Sequence, residues 1–314
     1  NRVSSMTCSS MCLASACLAL LAGCGPRFDH VAERTLPSST LAAAPTCSRY
    51  LVWNHDPVRD VFLVINGSGA LSNAFVHPTF EDVLADHPAA YATFDKPGIH
   101  APFGDPAAVR RDPRQLEPYT LGHGVTCAIE SLRWAREQLG PAARLHVRGH
   151  SEGSLIALYA YDQLLREDPA LASGIETVVL SGLALEPFGE ILTRQLATLP
   201  DGDELQQALE ACDWDVLMAR LGISCAYVDD ATARPSGRVM FERFASHMSV
   251  ARFYVFHGTS DWNTPVAPMR DLEAWNTREG HLRLQFHYYE GGHTGSDEAR
   301  AEVSRLLHAI VSER

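Results

Sequence analysis

One serine in this chain has the surroundings of a nucleophile. The pentapeptide GHSEG at residues 149–153 places Ser151 between two glycines. The residues before it, 144–148, predict a β-strand, and residues 155–161 predict the apolar body of a helix. A serine at a strand-to-helix junction sits on a sharp turn that needs small flanking residues, and the helix N-terminus then faces its hydroxyl. Ser151 is therefore our candidate nucleophile.

Two later positions could activate such a serine. A serine hydroxyl is a weak nucleophile at neutral pH, so it needs a base and a group that orients the base. Asp261 follows a predicted strand at residues 252–256, and His293 follows another at residues 282–289. Because reactive groups in parallel sheets gather at the carboxyl ends of the strands, we expect both side chains to lie near Ser151. Together they would form a Ser-His-Asp triad for acyl transfer.

The segments around these residues resemble those of the α/β-hydrolase family. They read GHSEG at 149–153, HGTSDWNTP at 257–265 and EGGHTG at 290–295. The order Ser, Asp, His along the chain is also that of the family. The resemblance covers residues 49–312 approximately and implies the α/β-hydrolase fold. It further implies that Ser151 attacks the carbonyl of a small-molecule acyl substrate, with no metal or organic cofactor.

A tetrahedral intermediate also needs N–H donors for its oxyanion. Residues 66–69, NGSG, follow a predicted buried strand at 61–65 and resemble the oxyanion loop of the family. The first two residues, Asn-Gly, stand where the family commonly has His-Gly. The resemblance implies that the backbone N–H groups of Ser68 and Glu152 are the two donors.

The elements that must position these residues alternate along the chain. Strands are predicted at 49–53, 61–65, 91–94, 144–148, 177–180, 252–256 and 282–289, and amphipathic helices at 122–139 and 297–310. This alternation predicts a mainly parallel sheet, of the eight-stranded type in the family, with helices on both faces. At about 184–250 the alternation lapses, and helical patterns predict a lid. Trp214, Trp262 and residues of this lid are candidate walls of an acyl pocket.

The N-terminal segment has a different character. Residues 11–22 form an apolar stretch that is too short to span a bilayer but suits the core of a signal peptide. The stretch ends in LAGC at 21–24, which resembles the bacterial lipobox. The resemblance implies that residues 1–23 are removed, that Cys24 is lipidated, and that this lipid anchors the protein in the cell envelope. Gly25 in place of Asp points to the outer membrane. An ordinary cleaved signal peptide is the alternative.

The rest of the chain divides into a tether and one domain. Residues 24–46 are rich in Pro, Ser, Thr and Ala without periodicity, which predicts a flexible tether. Residues 47–314 would then form the hydrolase domain. With 314 residues and 46% hydrophobic content, the chain is long enough for a large α/β core.

Export would place the remaining cysteines in an oxidising compartment. Three cysteines lie in the removed segment, which leaves Cys47, Cys127, Cys212 and Cys225 in the domain. Four cysteines allow three pairings. We favour Cys212 with Cys225, because they are close in the chain and flank a predicted helix-turn region, and Cys47 with Cys127 is then the remainder. Because no C-x-x-C or His/Cys cluster occurs, we do not expect a structural zinc site.

Charge and motifs together narrow the function. The formal net charge of −12 argues against nucleic acid or an anionic membrane surface as the main partner. Hydrolysis of a carboxylic ester is our first hypothesis. A serine peptidase or an acyl-thioester hydrolase on the same triad ranks second, because no carboxylate pair or arginine clamp is assigned to peptide termini. A third hypothesis is a lipoprotein that binds ligands with a hydrolase fold that has lost its catalytic activity. The presence of all three triad candidates argues against this hypothesis.

Overall fold

The computed structural model describes residues 28–36, 47–68, 72–105, 108–246, 251–280, 282–293 and 295–313. The predicted signal peptide, Cys24 and most of the predicted tether lie outside the described residues. Within those residues, no helix combines the length and the apolar character needed to cross a membrane.

The described residues contain a large, mainly parallel sheet. The strands are β1 (His30–Leu36), β2 (Cys47–Trp53), β3 (Asp60–Ile65), β4 (Ala89–Phe94), β5 (Ile99–His100), β6 (Arg110–Arg111), β7 (Arg144–His150), β8 (Ile175–Ser181), β9 (Arg252–Gly258) and β10 (Arg283–Tyr289). Eight of them pair in the order β1-β2-β4-β3-β7-β8-β9-β10, and β5 pairs with β6 alone. Only the β1–β2 and β2–β4 pairs of the large sheet are antiparallel. The predicted fold class is confirmed.

Helices cover both faces of this sheet. They are α1 (Glu81–Asp86), α2 (Pro113–Leu116), α3 (Leu121–Leu139), α4 (Glu152–Glu167), α5 (Pro169–Ser173), α6 (Phe188–Ala197), α7 (Gly202–Ala211), α8 (Trp214–Arg220), α9 (Cys225–Ala233), α10 (Gly237–Ser246), α11 (Val266–Glu279) and α12 (Asp297–Ser312), with a 3₁₀ turn at Pro78–Phe80. Alternate side chains of β3 point to opposite faces. Val61, Leu63 and Ile65 pack in the core beneath α3 and α4, and Phe62 and Val64 pack in the core beneath α1 and α12.

The edge strand β1 lies inside the segment predicted as a flexible tether. Residues 30–36 pair in antiparallel register with β2, so the tether prediction is corrected for these residues. The strand runs along the edge of the sheet, and Val31 is 51% exposed. Because this strand buries little apolar surface, its sequence lacks the alternation that marks a strand.

The segment between β8 and β9 contains α6 to α10, in the region predicted as a lid. One disulfide joins Cys212, at the end of α7, to Cys225, at the start of α9. A second disulfide joins Cys47 in β2 to Cys127 in α3. These two disulfides are the pairing that we favoured from the sequence. The first bridge constrains the lid helices, and the second ties α3 to the sheet.

Candidate active site

Ser151 occupies a sharp turn between β7 and α4. Its backbone has φ 54° and ψ −123°, a conformation that costs a non-glycine residue on the order of 1–3 kcal/mol. The turn requires the glycines on either side. A Cβ on Gly149 would collide with the carbonyl of Gly153, and a Cβ on Gly153 would collide with the carbonyl of Ile65. Close packing of the turn against α4 and β3 therefore explains the GHSEG pattern and presents the Ser151 hydroxyl at the strand end.

The structure brings the three predicted triad residues together. His293 Nε2 lies 2.8 Å from Ser151 Oγ, and His293 Nδ1 lies 2.8 Å from Asp261 Oδ2. These residues follow β7, β9 and β10, whose carboxyl ends meet at one edge of the sheet. With the Nδ1 proton donated to the carboxylate, Nε2 is free to accept the hydroxyl proton of Ser151. The arrangement can therefore remove the proton from a serine nucleophile.

The Asp261 carboxylate is held by its own loop. Its Oδ1 accepts the backbone N–H groups of Asn263 at 2.9 Å and Thr264 at 3.0 Å, and its Oδ2 accepts the Thr264 hydroxyl at 2.7 Å. Burial alone would raise the pKa of Asp261, but hydrogen bonds from His293 and Thr264 outweigh burial and lower that pKa. Asp261 therefore stays ionised beside His293.

A second histidine, His257, supports the same loop. It is completely buried, and burial is the first cause that lowers its pKa, so it stays neutral. Its Nε2 donates to the carbonyl of Thr264 at 2.6 Å. His257 therefore acts on the site through the carbonyl of Thr264.

The two predicted oxyanion residues flank the nucleophile. Ser68 and Glu152 line the same cleft as Ser151 and His293. As the first residue of α4, Glu152 has a backbone N–H without an intrahelical acceptor. A Cβ on Gly67 would lie 3.1 Å from the Ser151 Cβ, so glycine lets the loop after β3 approach the nucleophile closely. Both N–H groups are thus carried to the neighbourhood of Ser151.

Side chains that the sequence analysis did not predict hold the loop after β3. The Asn66 amide donates to Asn73 Oδ1 at 2.8 Å, and the Asn73 amide donates to the carbonyl of Phe94 at 2.8 Å. The fully buried Asp95 accepts the Asn73 backbone N–H and the Ser72 hydroxyl. Asn66, at the position where the family commonly has His, is therefore part of a network that ties this loop to the end of β4.

The Glu152 side chain forms a buried ion pair beside the nucleophile. Its Oε2 lies 2.6 Å from Lys96 Nζ, and the two side chains are 5% and 9% exposed respectively. The Tyr119 hydroxyl donates to Oε1 at 3.4 Å, and Tyr227 lies close enough for the Glu152 charge to act on it. Burial, and then the Glu152 charge, raise the pKa of both tyrosines well above the usual value, so both phenols keep their protons. The carboxylate is fully partnered by residues that sequence reasoning missed.

The cleft above Ser151 has mostly apolar walls. It encloses about 680 Å³ of space that opens to solvent. Its apolar lining comes from α4, from the residues that follow β8, and from the segment α6 to α9. These residues are Leu155, Ala184, Phe188, Ile191, Leu192, Leu221, Ile223 and Tyr227. Residues of the predicted lid therefore line the cleft, but neither Trp214 nor Trp262 is among its described lining residues, and Trp262 is 52% exposed, so the prediction is wrong for these two tryptophans. Within the described residues, no group of three His, Cys, Asp or Glu side chains could hold a metal ion.

Comparisons with known proteins agree with this architecture. No family model and no curated protein matches the chain. Among solved structures, a lipase in an open form matches with a TM-score of 0.58 and 15% identity, over 90% of this chain and 100% of that one. A carboxyl esterase from Bacillus coagulans matches with a TM-score of 0.56 and 15% identity, over 89% and 97%. The chain has the α/β-hydrolase fold.

A third neighbour shows what the α/β-hydrolase fold leaves open. An acylaminoacyl peptidase from Pyrococcus horikoshii matches with a TM-score of 0.55 and 12% identity, over 90% of this chain and 41% of that one. Because the neighbours carry different names and low identities, the shared fold does not choose between ester and peptide substrates. That choice depends on the residues of the cleft.

Proposed function

We propose that the protein is a serine hydrolase that cleaves carboxylic esters through Ser151, His293 and Asp261. The observation that carries this proposal is the continuous hydrogen-bonded chain from Ser151 Oγ through His293 to Asp261, at 2.8 Å for each link. The strained turn at Ser151 supports it, since such strain gathers at functional positions.

The proposed reaction has two halves. Ser151 Oγ attacks the ester carbonyl, His293 Nε2 takes the hydroxyl proton, and Asp261 stabilises the resulting imidazolium. The N–H groups of Ser68 and Glu152 stabilise the oxyanion. The intermediate collapses when His293 returns the proton to the departing alkoxide, which leaves as an alcohol. Water then attacks the acyl-enzyme, gives its proton to His293, and releases the carboxylic acid while Ser151 regains its proton.

The cleft favours an uncharged acyl group over a peptide terminus. Recognition of a peptide amino terminus needs a carboxylate that is free to pair with it. Among the described lining residues Glu152 is the one carboxylate, and it is already paired with Lys96 at 2.6 Å. The remaining walls are mainly apolar, which suits an aliphatic or aromatic acyl chain. We therefore rank ester hydrolysis above peptidase activity, and thioester hydrolysis remains an alternative on the same site.

Labelling with a fluorophosphonate probe tests the mechanism. The wild-type protein should react at Ser151, and Ser151→Ala should abolish labelling. Ser173→Ala, which removes an exposed hydroxyl that bonds the carbonyl of Ala170, is the matched control and should label normally. A panel of short and long esters, thioesters and aminoacyl amides then ranks the substrate classes. Absence of labelling in wild-type protein with a native circular dichroism spectrum would refute the enzyme and favour a ligand-binding lipoprotein.

We also propose that Cys24 carries a lipid that anchors the domain to the bacterial cell envelope. The LAGC sequence at residues 21–24 is the support for this location. Cys24→Ala should move the expressed protein from the membrane fraction to the soluble fraction. Retention of the variant in the membrane fraction would contradict the anchor.

A further inference from the structure

A second cavity lies next to His293 and is distinct from the nucleophile cleft. It encloses about 590 Å³ of space that opens to solvent. Among the described residues, His293 is the one that lines both spaces. Its charged lining consists of Arg148 and Arg300, its other polar lining includes His77, His150, Asn66 and Ser181, and no carboxylate occurs among the described lining residues. This composition differs from the apolar wall of the cleft and is typical of a site for an anion.

Arg148 is a buried charged residue in the lining of this cavity. It lies in β7, three residues before the nucleophile, and is 8% exposed. Within the described part of the chain its guanidinium has no ion pair, and its Nε is buried without a hydrogen-bond partner. The Phe80 ring, 5.9 Å away, contributes a cation–π contact but no negative charge. A buried charge without a counterion destabilises the fold unless a ligand supplies the opposite charge.

Another buried arginine shows what a purely structural role looks like in this protein. The Arg49 side chain is 1% exposed and pairs directly with the Glu130 carboxylate. Arg148 is buried to a similar extent, but it lines a cavity, whereas Arg49 contacts a carboxylate. Arg148 thus differs from Arg49 in having no carboxylate partner among the described residues.

Three other side chains in the lining could also bind an anion. Arg300 is the fourth residue of α12, and its partner Asp297 has a side chain that is 95% exposed, outside the lining. Burial, followed by the positive charge of neighbouring groups, lowers the pKa of His77 and of His150 to about 4. Both imidazoles are therefore neutral at pH 7 and can donate one N–H each. The cavity therefore combines the guanidinium groups of Arg148 and Arg300 with the N–H donors of two neutral imidazoles.

We propose that this cavity binds a small oxyanion, a phosphate or a short carboxylate, with Arg148 as its principal partner and Arg300 as a second. An oxyanion of this kind accepts the parallel N–H groups of a guanidinium in a bidentate arrangement. The proposal does not rest on acyl transfer at Ser151 and goes beyond the proposed function. Because His293 forms part of its wall, the bound anion would lie close to the base of the triad.

Titration of the full domain with inorganic phosphate tests the proposal, by calorimetry and by thermal unfolding at constant ionic strength. The wild-type protein and Ser151→Ala should both bind phosphate and unfold at a higher temperature in its presence. Arg148→Met should abolish the stabilisation by phosphate. The same variant should unfold without phosphate at the wild-type temperature or above, because an unpartnered buried charge has been removed.

Two further variants keep the test decisive if Arg148→Met folds poorly. Arg300→Gln, at a side chain that is 52% exposed, should weaken phosphate binding about tenfold or more, since a hydrogen bond to a charged group is lost. Arg305→Gln removes an exposed arginine from the same helix and should leave binding unchanged. Absence of phosphate binding by the wild-type protein, unchanged binding by Arg300→Gln, or equal weakening by Arg305→Gln would overturn the proposal. Binding by Ser151→Ala separates this result from any failure of the proposed esterase activity.

Discussion

The ion pair between Lys96 and Glu152 should control both stability and turnover. Lys96→Met leaves the Glu152 carboxylate 5% exposed, with the Tyr119 hydroxyl as its hydrogen-bond donor. Removing one member of a buried ion pair costs about 3–5 kcal/mol of stability, because the other charge stays uncompensated. In a domain of this size each kcal/mol lowers the unfolding temperature by roughly 2–4 °C. We therefore expect Lys96→Met to unfold at least about 6 °C below wild type.

A double-mutant cycle isolates this interaction. Glu152→Gln leaves the Lys96 ammonium buried and should also destabilise, whereas Lys96→Met with Glu152→Gln removes both charges and should recover most of the loss. The coupling free energy from urea unfolding should be about 3 kcal/mol. The Glu152 N–H is a proposed oxyanion donor, and loss of one such donor costs about 100-fold in kcat. Lys96→Met keeps this N–H but leaves the side chain of the same residue without its ion-pair partner, so kcat in an ester assay should fall, by at most about 100-fold.

An exposed ion pair provides the control for this cycle. Arg133 lies 3.3 Å from Asp168, with side chains that are 44% and 31% exposed. Because solvent screens this pair, Arg133→Met should cost no more than about 1 kcal/mol. Additive effects of Lys96→Met and Glu152→Gln, or a loss for Lys96→Met as small as that for Arg133→Met, would refute the reasoning.

Three other outcomes follow from the site. Asp261→Asn should lower kcat by about 10⁴ without unfolding the protein, because the amide favours the wrong tautomer of His293; steady-state kinetics beside circular dichroism checks this. The pKa values of His77 and His150 are about 4 in the folded protein, against a usual 6.5 in an unfolded chain. Between pH 6.5 and 4 the unfolded chain therefore binds more protons than the folded protein, and the midpoint of urea unfolding should fall as the pH drops through this range. The fall should be less steep in His150→Gln. Leu192→Trp, which narrows the cleft, should reduce kcat/KM for long-chain esters more than for short ones, whereas Leu199→Trp at an exposed lid position should change neither.

Local patterns in the sequence were enough to predict the fold and the neighbourhood of the nucleophile. Strand and helix periodicities depend on short-range repeats, so the mainly parallel sheet could be predicted without coordinates. Gly149 is also a local requirement, since a Cβ there would collide with the backbone of Gly153 in the same turn, whereas the requirement for Gly153 comes from the carbonyl of Ile65 in β3. The resemblance to a known family then selected Asp261 and His293 among many acidic residues and 14 histidines.

The environment of the site depended on the tertiary structure. Lys96 meets Glu152 across 56 positions of the chain, and Asp95 meets Asn73 across 22, so no local repeat connects either pair. The sequence predicted Trp214, Trp262 and lid residues as walls of the pocket, and the described lining includes Phe188 and Ile191 of the lid but neither tryptophan. The sequence could not show that Arg148 lacks a carboxylate, because that depends on which strands and helices surround β7 after folding. The sequence by itself determined the layers of the fold and predicted the candidate nucleophile, because periodicity and tight turns are short-range features. Only long-range packing decided which charges are paired, which lack a partner, and what lines the cleft.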